Sequence, residues 1–306
     1  MKRGFVRGVA GSGIVLALGI LGAPEHAAAD MSFLSYGVDA RSMVLGQAVT
    51  SLVDDAASCY WNPAGLARME RSQLLLSHVV SFADLRREYA AVTQPVGGLA
   101  FGFAFDGVWT DNLEGYDEAA NPTGSFGWSE YEVSVSAGAP LGRSLAVGAA
   151  GKLLREDIGA YSANGWAIDL GAQWAPEIGL PLRFGLAVKN LGPPMKFIET
   201  EFDLPLTVQG GVSWRRALGS SGGRLTVAGD LRSVRDDGTS ALFGAEYGYG
   251  NLLSFGVGYQ GGRETQDVSF GLGVERGRFA FHWAYVPIAE DLGDQDEHRF
   301  SLRLSL

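Results

Sequence analysis

The stretch that decides the fold is SEYEVSVSAGA, residues 129–139. In an extended chain Tyr131, Val133, Val135, Ala137 and Ala139 fall on one face, and Glu130, Glu132, Ser134, Ser136 and Gly138 on the other. Successive strand side chains point to opposite faces, so alternation of this length reads as a β-strand. The same beat returns in residues 206–215, where Leu206, Val208, Gly210, Val212 and Trp214 oppose Thr207, Gln209, Gly211, Ser213 and Arg215. In residues 278–285, Phe279, Phe281, Trp283 and Tyr285 alternate with Arg278, Ala280, His282 and Ala284.

The contents of the two faces set the architecture. One face is bulky and apolar; the other is glycine, alanine, hydroxyls and ionisable groups. A soluble sandwich turns the bulky face inward and shows water a surface rich in Lys, Glu and Thr. The second face here is too small and glycine-rich for that. Bulky side chains toward lipid, with small and polar ones inside, define a transmembrane barrel. Lipid leaves no open sheet edge unsatisfied, so the sheet must close. The composition agrees, with 46% hydrophobic residues, 44 glycines and only 19% charged residues. A single cysteine excludes an internal disulfide framework. Beyond residue 29, no run reaches the ~18 uninterrupted apolar residues of a spanning helix. A formal net charge of −10 makes nucleic acid a poor partner.

Alternating runs give about fourteen antiparallel strands, an even number that returns both ends of the sheet to one side. They lie near 72–82, 87–96, 99–109, 129–139, 144–156, 164–175, 181–190, 205–215, 223–233, 240–249, 252–260, 266–275, 278–286 and 298–306. Short turns (VGG, PLGR, PEIGLP, LGSSGG, GYGN and ERGR) alternate with connections that include the longer 110–128, 191–204 and 287–297. Short turns belong on the periplasmic side and long loops outside. Trp109, Trp128 and Trp166 are expected in an outer aromatic girdle, Trp174 and Trp214 in a periplasmic one. The closing RFSLRLSL turns Phe300, Leu302, Leu304 and Leu306 outward. It resembles the terminal strand by which the barrel assembly machinery recognises its clients, with Leu306 in place of the usual aromatic.

Lys2, Arg3 and Arg7, an apolar run from Ile14 to Leu21, and Ala27 and Ala29 before Asp30 read as a secretory signal. The chain thus divides into a signal peptide (1–29), an N-terminal segment (30–71) and a barrel (72–306), destined for the bacterial outer membrane and its lipid and lipopolysaccharide.

Residues 30–71 lack strand alternation and are sized to fold into the lumen as a short helical hatch. Within LVDDAASCYWNPAGLARME, residues 52–70, Asn62 followed by Pro63 is a helix start. Residues 42–53 form an earlier helix ending at Asp54 and Asp55. Adjacent helical carboxylates point about 100° apart, and no histidine lies nearby, so the pair reads as ionic anchors and not as an acid–base couple or metal site. Their expected partners are the inward bases Lys152, Arg183, Lys189, Arg215, Arg224 and Arg232. Glu130, Glu132, Asp169 and Asp230 are the remaining charges expected to line the lumen. Cys59 reads as a small buried filler. Ser77 and His78 face opposite sides of a strand, so no serine–histidine couple forms. No enzyme, metal or cofactor is expected.

The run GVDARSMVLGQAVTSLVDDAASCYWNPAGLA, residues 37–67, resembles the N-terminal signature of the PorV/PorQ family, a branch of outer-membrane barrels related to FadL, the long-chain fatty acid transporter. The matching residues are Ala40, Arg41, Ser42, Met43, Gly46, Ala48, Asp54, Asp55, Ala56, Tyr60, Trp61, Asn62, Pro63, Ala64, Gly65 and Leu66; the departure is Val44-Leu45-Gly46-Gln47. The resemblance implies a fourteen-stranded barrel plugged by a hatch carrying the Asn-Pro-Ala turn. Arg41, Asp54, Asp55, Tyr60, Trp61, Asn62, Pro63, Ala64 and Gly65 are then the gating residues. Two functions stay open. One is passage of small or hydrophobic molecules through a hatch-gated lumen. The other is a PorV-like accessory or shuttle in type IX-like secretion, binding partner proteins at the cell surface. The acidic residues Asp111, Glu114, Asp117 and Glu118, with Glu290, Asp291, Asp294, Asp296 and Glu297, offer a docking surface, a solvated rim or divalent bridges to lipopolysaccharide.

Overall fold

The computed structural model describes residues 31–80, 85–116, 121–219, 222–250, 252–262, 268–287 and 296–306. The signal-peptide reading of 1–29 and the acidic residues Asp117, Glu118, Glu290, Asp291 and Asp294 lie outside the described residues, as does the side chain of Asp111.

Sixteen strands follow in order: β1 (Gln73–Val80), β2 (Arg86–Val96), β3 (Leu99–Tyr116), β4 (Pro122–Leu141), β5 (Leu145–Ile158), β6 (Tyr161–Trp174), β7 (Leu182–Leu191), β8 (Met195–Phe197), β9 (Thr200–Phe202), β10 (Thr207–Leu218), β11 (Gly223–Val234), β12 (Gly238–Tyr249), β13 (Leu253–Gly261), β14 (Val268–Arg276), β15 (Phe279–Val286) and β16 (Glu297–Ser305). All but β8 and β9 form one closed antiparallel barrel, fourteen strands around, sealed where β1 pairs with β16 from Gln73↔Ser305 to Val80↔His298. Every expected strand is present. The barrel is inverted relative to a soluble one: Leu153 is 69% exposed while its neighbour Lys152 is 2% exposed, and Leu231 and Arg232 stand at 63% and 2%. An exterior of bare Leu, Val and Phe has a favourable solvent only in hydrocarbon.

Four expectations about the wall and its connections need correction. Residues 110–128 are largely ladder and not loop: β3 and β4 continue past a register shift after Thr110 to pair Leu113 with Phe126 and Glu114 with Ser125. Residues 191–204 hold the β8–β9 hairpin, which turns at Ile198 and buries Met195. Trp128 points inward, because it shares the parity of Glu130, and is buried. Trp166 and Trp174 face outward and exposed. Glu297 is likewise no surface acid: it is buried on β16, 2.5 Å from Arg299 two residues along the same face. Its alternation continues the inward row of Arg299, Ser301 and Arg303.

Residues 31–71 lie inside the ring. They form a 3-10 turn (Ser32–Ser35), α1 (Ala40–Val44), α2 (Ser58–Trp61) and a second 3-10 turn (Pro63–Arg68). Asn62 caps the last of these, its Oδ1 accepting from the Ala64 N–H at 3.1 Å, with Pro63 in the first position. The helix expected over 42–53 stops after Val44. Gly46 and Gln47 take left-handed φ of 58° and 63°, and Gly46 presses its backbone onto the β12–β13 wall, where a methyl group would overlap the Phe243 carbonyl. A continuous helix cannot make that approach, so the chain proceeds in turns.

Candidate functional site

The lumen is filled by the N-terminal segment, which touches all fourteen wall strands. Polar contacts reach β1 (Ala56 N–H to Gln73), β2 (Arg87 to the Tyr36 carbonyl), β6 (Gln173 to the Val53 carbonyl), β7 (Arg183 to Asp54), β10 (Gln209 to the Gln47 carbonyl), β11 (Asp230 from the Thr50 N–H), β12 (Glu246 from Arg41), β13 (Gln260 from Gln47), β14 (Ser269 to the Met43 carbonyl) and β16 (Arg303 to Asp55). Helix α1 packs on β15. On β3, β4 and β5 the contact is made at glycine: Gly102 meets Cys59, Gly138 meets Leu66 and Ala67, and Gly148 meets the Pro63 carbonyl. A Cβ on Gly138 would lie 2.7 Å from the Ala67 nitrogen and 2.8 Å from Leu66 Cβ. Gly171, Gly185, Gly244 and Gly258 receive Asn62, Thr50, Leu45 and Gly46 in the same way. The small face of the strands is therefore a set of seats for another part of the chain.

Asn62 is a hub. Its Nδ2 donates to the carbonyls of Thr50 (2.8 Å) and Ala172 (3.2 Å), holding one turn of the segment against another and both against β6. Tyr60 donates to the Leu34 carbonyl at 2.9 Å and Trp61 to Asp39 Oδ1 at 2.9 Å. Asp39 also caps α1 through the Ser42 N–H. Burial raises the Asp39 carboxyl above its usual range against those two hydrogen bonds. Burial likewise pushes the Tyr60 hydroxyl and the Cys59 thiol up to about 12, leaving the cysteine an inert filler at neutral pH.

The ion pairs redistribute the expected partners. Asp54 Oδ2 accepts from Arg183 Nη1 at 3.1 Å and Arg215 Nη1 at 3.2 Å. Burial opposes ionisation of Asp54, but Arg215, Arg183 and Arg41 outweigh it and hold the carboxyl below its usual value. Asp55 turns elsewhere, to Arg303 at 2.6 Å and Arg41 at 3.8 Å. Arg41 also grips Glu246 with Nε and Nη2 at 3.1 and 3.2 Å, and these neighbours raise its affinity for the proton. The other bases face neither aspartate. Lys152 is held by Asp169 (2.8 Å), Glu132 (3.1 Å) and Asn190 (3.0 Å). Lys189 Nζ stands 3.7 Å from the Tyr60 ring centre and 5.2 Å from that of Trp61. Arg232 donates to Gln47 Oε1, and Arg224 makes no ion pair among the described residues. Asp230 accepts from Gln209 as well as Thr50. Glu130 is buried opposite Glu156. Ala64 and Gly65 are buried in the last turn, where Gly65 abuts Ser58 and the Val53 carbonyl.

Two features escaped the sequence reading. Arg87 and Asp106 form a buried pair at 2.6 Å on β2 and β3; strand-two alternation, once accepted, puts both inward. At the long-loop end Phe33, Leu34, Val108, Trp128, Leu154, Met195, Phe202 and Leu204 make an apolar cluster inside the barrel. Its parts come from the N-terminal segment, the wall and the β8–β9 connection, so no single stretch announces it.

A closed barrel, greasy outside and filled by its own N-terminal segment, is the architecture of a membrane-spanning β-barrel. More particularly, the fold is FadL-like. The structure is similar to the CymD monoaromatic hydrocarbon channel (TM-score 0.61, 14% identity, 88% of this chain and 96% of that one). It is similar also to the toluene transporter TodX of P. putida (0.55, 11%, 88% and 97%) and to a FadL homologue of Pseudomonas aeruginosa (0.54, 9%, 88% and 98%). No family model matches the chain, and no curated protein matches it in sequence.

Proposed function

We propose that the protein is a bacterial outer-membrane barrel that admits small hydrophobic molecules, with residues 30–71 as its hatch. The observation that carries this is the apolar cluster within the long-loop end of the lumen. A lumen built only for ions or sugars gains nothing from burying Trp128, Met195 and Leu204 together, whereas an apolar solute finds there a medium like its own. Likeness in fold to channels described as carrying monoaromatic hydrocarbons and toluene supports the reading. Below the cluster lie Lys152, Glu132 and Asp169 and then the seated turns, so onward passage requires the hatch to shift. In this reading the protein is not an enzyme.

The test is uptake of radiolabelled toluene by cells or proteoliposomes carrying the protein. Met195→Glu, which puts a charge into the cluster, is expected to cut protein-dependent uptake by about tenfold, since burying an unpaired carboxylate costs several kcal/mol. Uptake indistinguishable from protein-free vesicles sinks the proposal.

A PorV/PorQ-like accessory role in secretion is the second reading, supported by the resemblance of residues 37–67, whose Arg41, Asp54, Asp55 and Asn62 all bind the wall. Crosslinking on intact cells that recovers no envelope protein counts against it.

A further inference from the structure

Arg68, Arg183, Arg215 and Arg224 lie at the short-turn mouth of the barrel, and two of them, Arg183 and Arg215, share one carboxylate, that of Asp54. Arg183, Arg215 and Arg224 stand on the consecutive strands β7, β10 and β11; Ser213 faces Arg183 across one ladder, and Arg215 and Arg224 are diagonal neighbours across the next. Arg68, from the last turn of the N-terminal segment, donates to Gln173 Oε1 at 2.9 Å and finds no carboxylate. Burial and the charge of Arg183 lower its affinity for the proton. The nearby acids are engaged, Glu246 by Arg41 and both Glu275 and Asp55 by Arg303.

That leaves Asp54. A single oxygen, Oδ2, serves both Arg183 and Arg215. The Nε and Nη2 of Arg215 are buried without a hydrogen-bond partner. An arginine offers five donors in a planar fork suited to oxyanions; one shared carboxylate oxygen uses a small part of what this cluster presents. The side chains of Arg183, Asp54 and Arg215 are 25%, 27% and 30% exposed, so the group meets solvent at the mouth.

We propose that these arginines form a binding site for a phosphate dianion, which enters from the short-turn side and takes the place of Asp54. A tetrahedral dianion has the oxygens to accept from Arg183, from the unused edge of Arg215 and from Arg224, and the charge to match them. Asp54 is itself ionised at neutral pH, so the exchange swaps one anion for another. Its departure removes the ionic hold of the turn around residues 50–57 on β7 and β10, while Gln73, Gln173, Asp230 and Arg303 keep theirs. The ligand thus also loosens the part of the segment nearest the mouth.

Isothermal titration of the detergent-solubilised full chain with inorganic phosphate, at constant ionic strength against sodium chloride, tests this. Wild type is expected to show saturable binding that chloride does not reproduce. Asp54→Asn removes the competitor and is expected to bind about tenfold tighter, because the site no longer spends most of its time occupied by the protein's own carboxylate. Arg224→Gln, which breaks no bond seen in the structure, is expected to weaken binding at least about threefold. Phosphate behaving as chloride does, or Asp54→Asn binding no tighter than wild type, overturns the proposal. Both variants keep the arginine pair of β7 and β10, and an unaltered heat-modifiable gel mobility shows that each has folded.

Discussion

At Gly148 one hydrogen atom stands where any other residue places a carbon, and the Pro63 carbonyl occupies that space. Gly148→Ala is therefore expected to destabilise the barrel by about 1–3 kcal/mol, read as a lower urea midpoint, because backbone faces backbone there and neither side yields easily. Asn62→Ala removes a cap worth ~1 kcal/mol and one of the two side-chain donors to the buried Thr50 carbonyl, which keeps Gln173, for a total of about 1–3 kcal/mol. Asp54 gives a pH signature. Its carboxyl titrates below the unfolded value of 3.8, so its contribution is present above that pH and fades as pH falls through the folded value. Wild type is expected to exceed Asp54→Asn by about 1 kcal/mol at pH 7, a modest margin for a partly solvated pair, and to lose the advantage at acid pH, below the unfolded value of 3.8. Equal margins at both pH values would falsify the assignment. The sequence shows at this scale that Gly148 and Asp54 face inward. It does not show what each meets, since Pro63 is far from Gly148 along the chain and the depth at which a turn docks is a property of the assembled whole.

Among elements, the wall strands are the most legible. Alternation in residues 129–139, 206–215 and 278–285 survives because every strand has lipid on one side and lumen on the other. The ends of β3 and β4 are less so: beyond Trp109 the alternation breaks at the register shift, yet pairing resumes at Leu113 and Phe126. The 42–53 helix fails for a different reason. Its residues are adequate helix formers, and docking against β12 and β13 at Gly46 overrides that weak preference. The β8–β9 hairpin, with three-residue arms, is too short to give a periodic signal, though Met195 on it roofs the apolar cluster. Replacing residues 195–202 with a Gly-Ser link is expected to uncover that cluster, seen as increased fluorescence of a hydrophobic probe in lipid nanodiscs over wild type. No increase would place the roof elsewhere.

For the molecule as a whole, the N-terminal segment and the wall are one structure. Residues 31–71 reach all fourteen strands, and the lumen charges Arg183, Arg215, Arg303 and Glu246 find their partners on it. Deleting 31–71 is expected to abolish the heat-modifiable folded band, not to yield an open conducting pore, because buried charges left unpaired cost several kcal/mol each. A stable, conducting barrel after deletion refutes that dependence. The alternation of the strands foretells a filled lumen only indirectly, through a face too small for water and too polar for lipid.

The glycine seats carry a last consequence, for how such barrels are recombined. Gly138, Gly148, Gly171, Gly185, Gly244 and Gly258 are cut to the contour of this plug alone. An N-terminal segment transplanted from a barrel of like shape but unlike sequence will jam against them or rattle, so hybrids spliced near residue 72 must exchange the matching wall positions too.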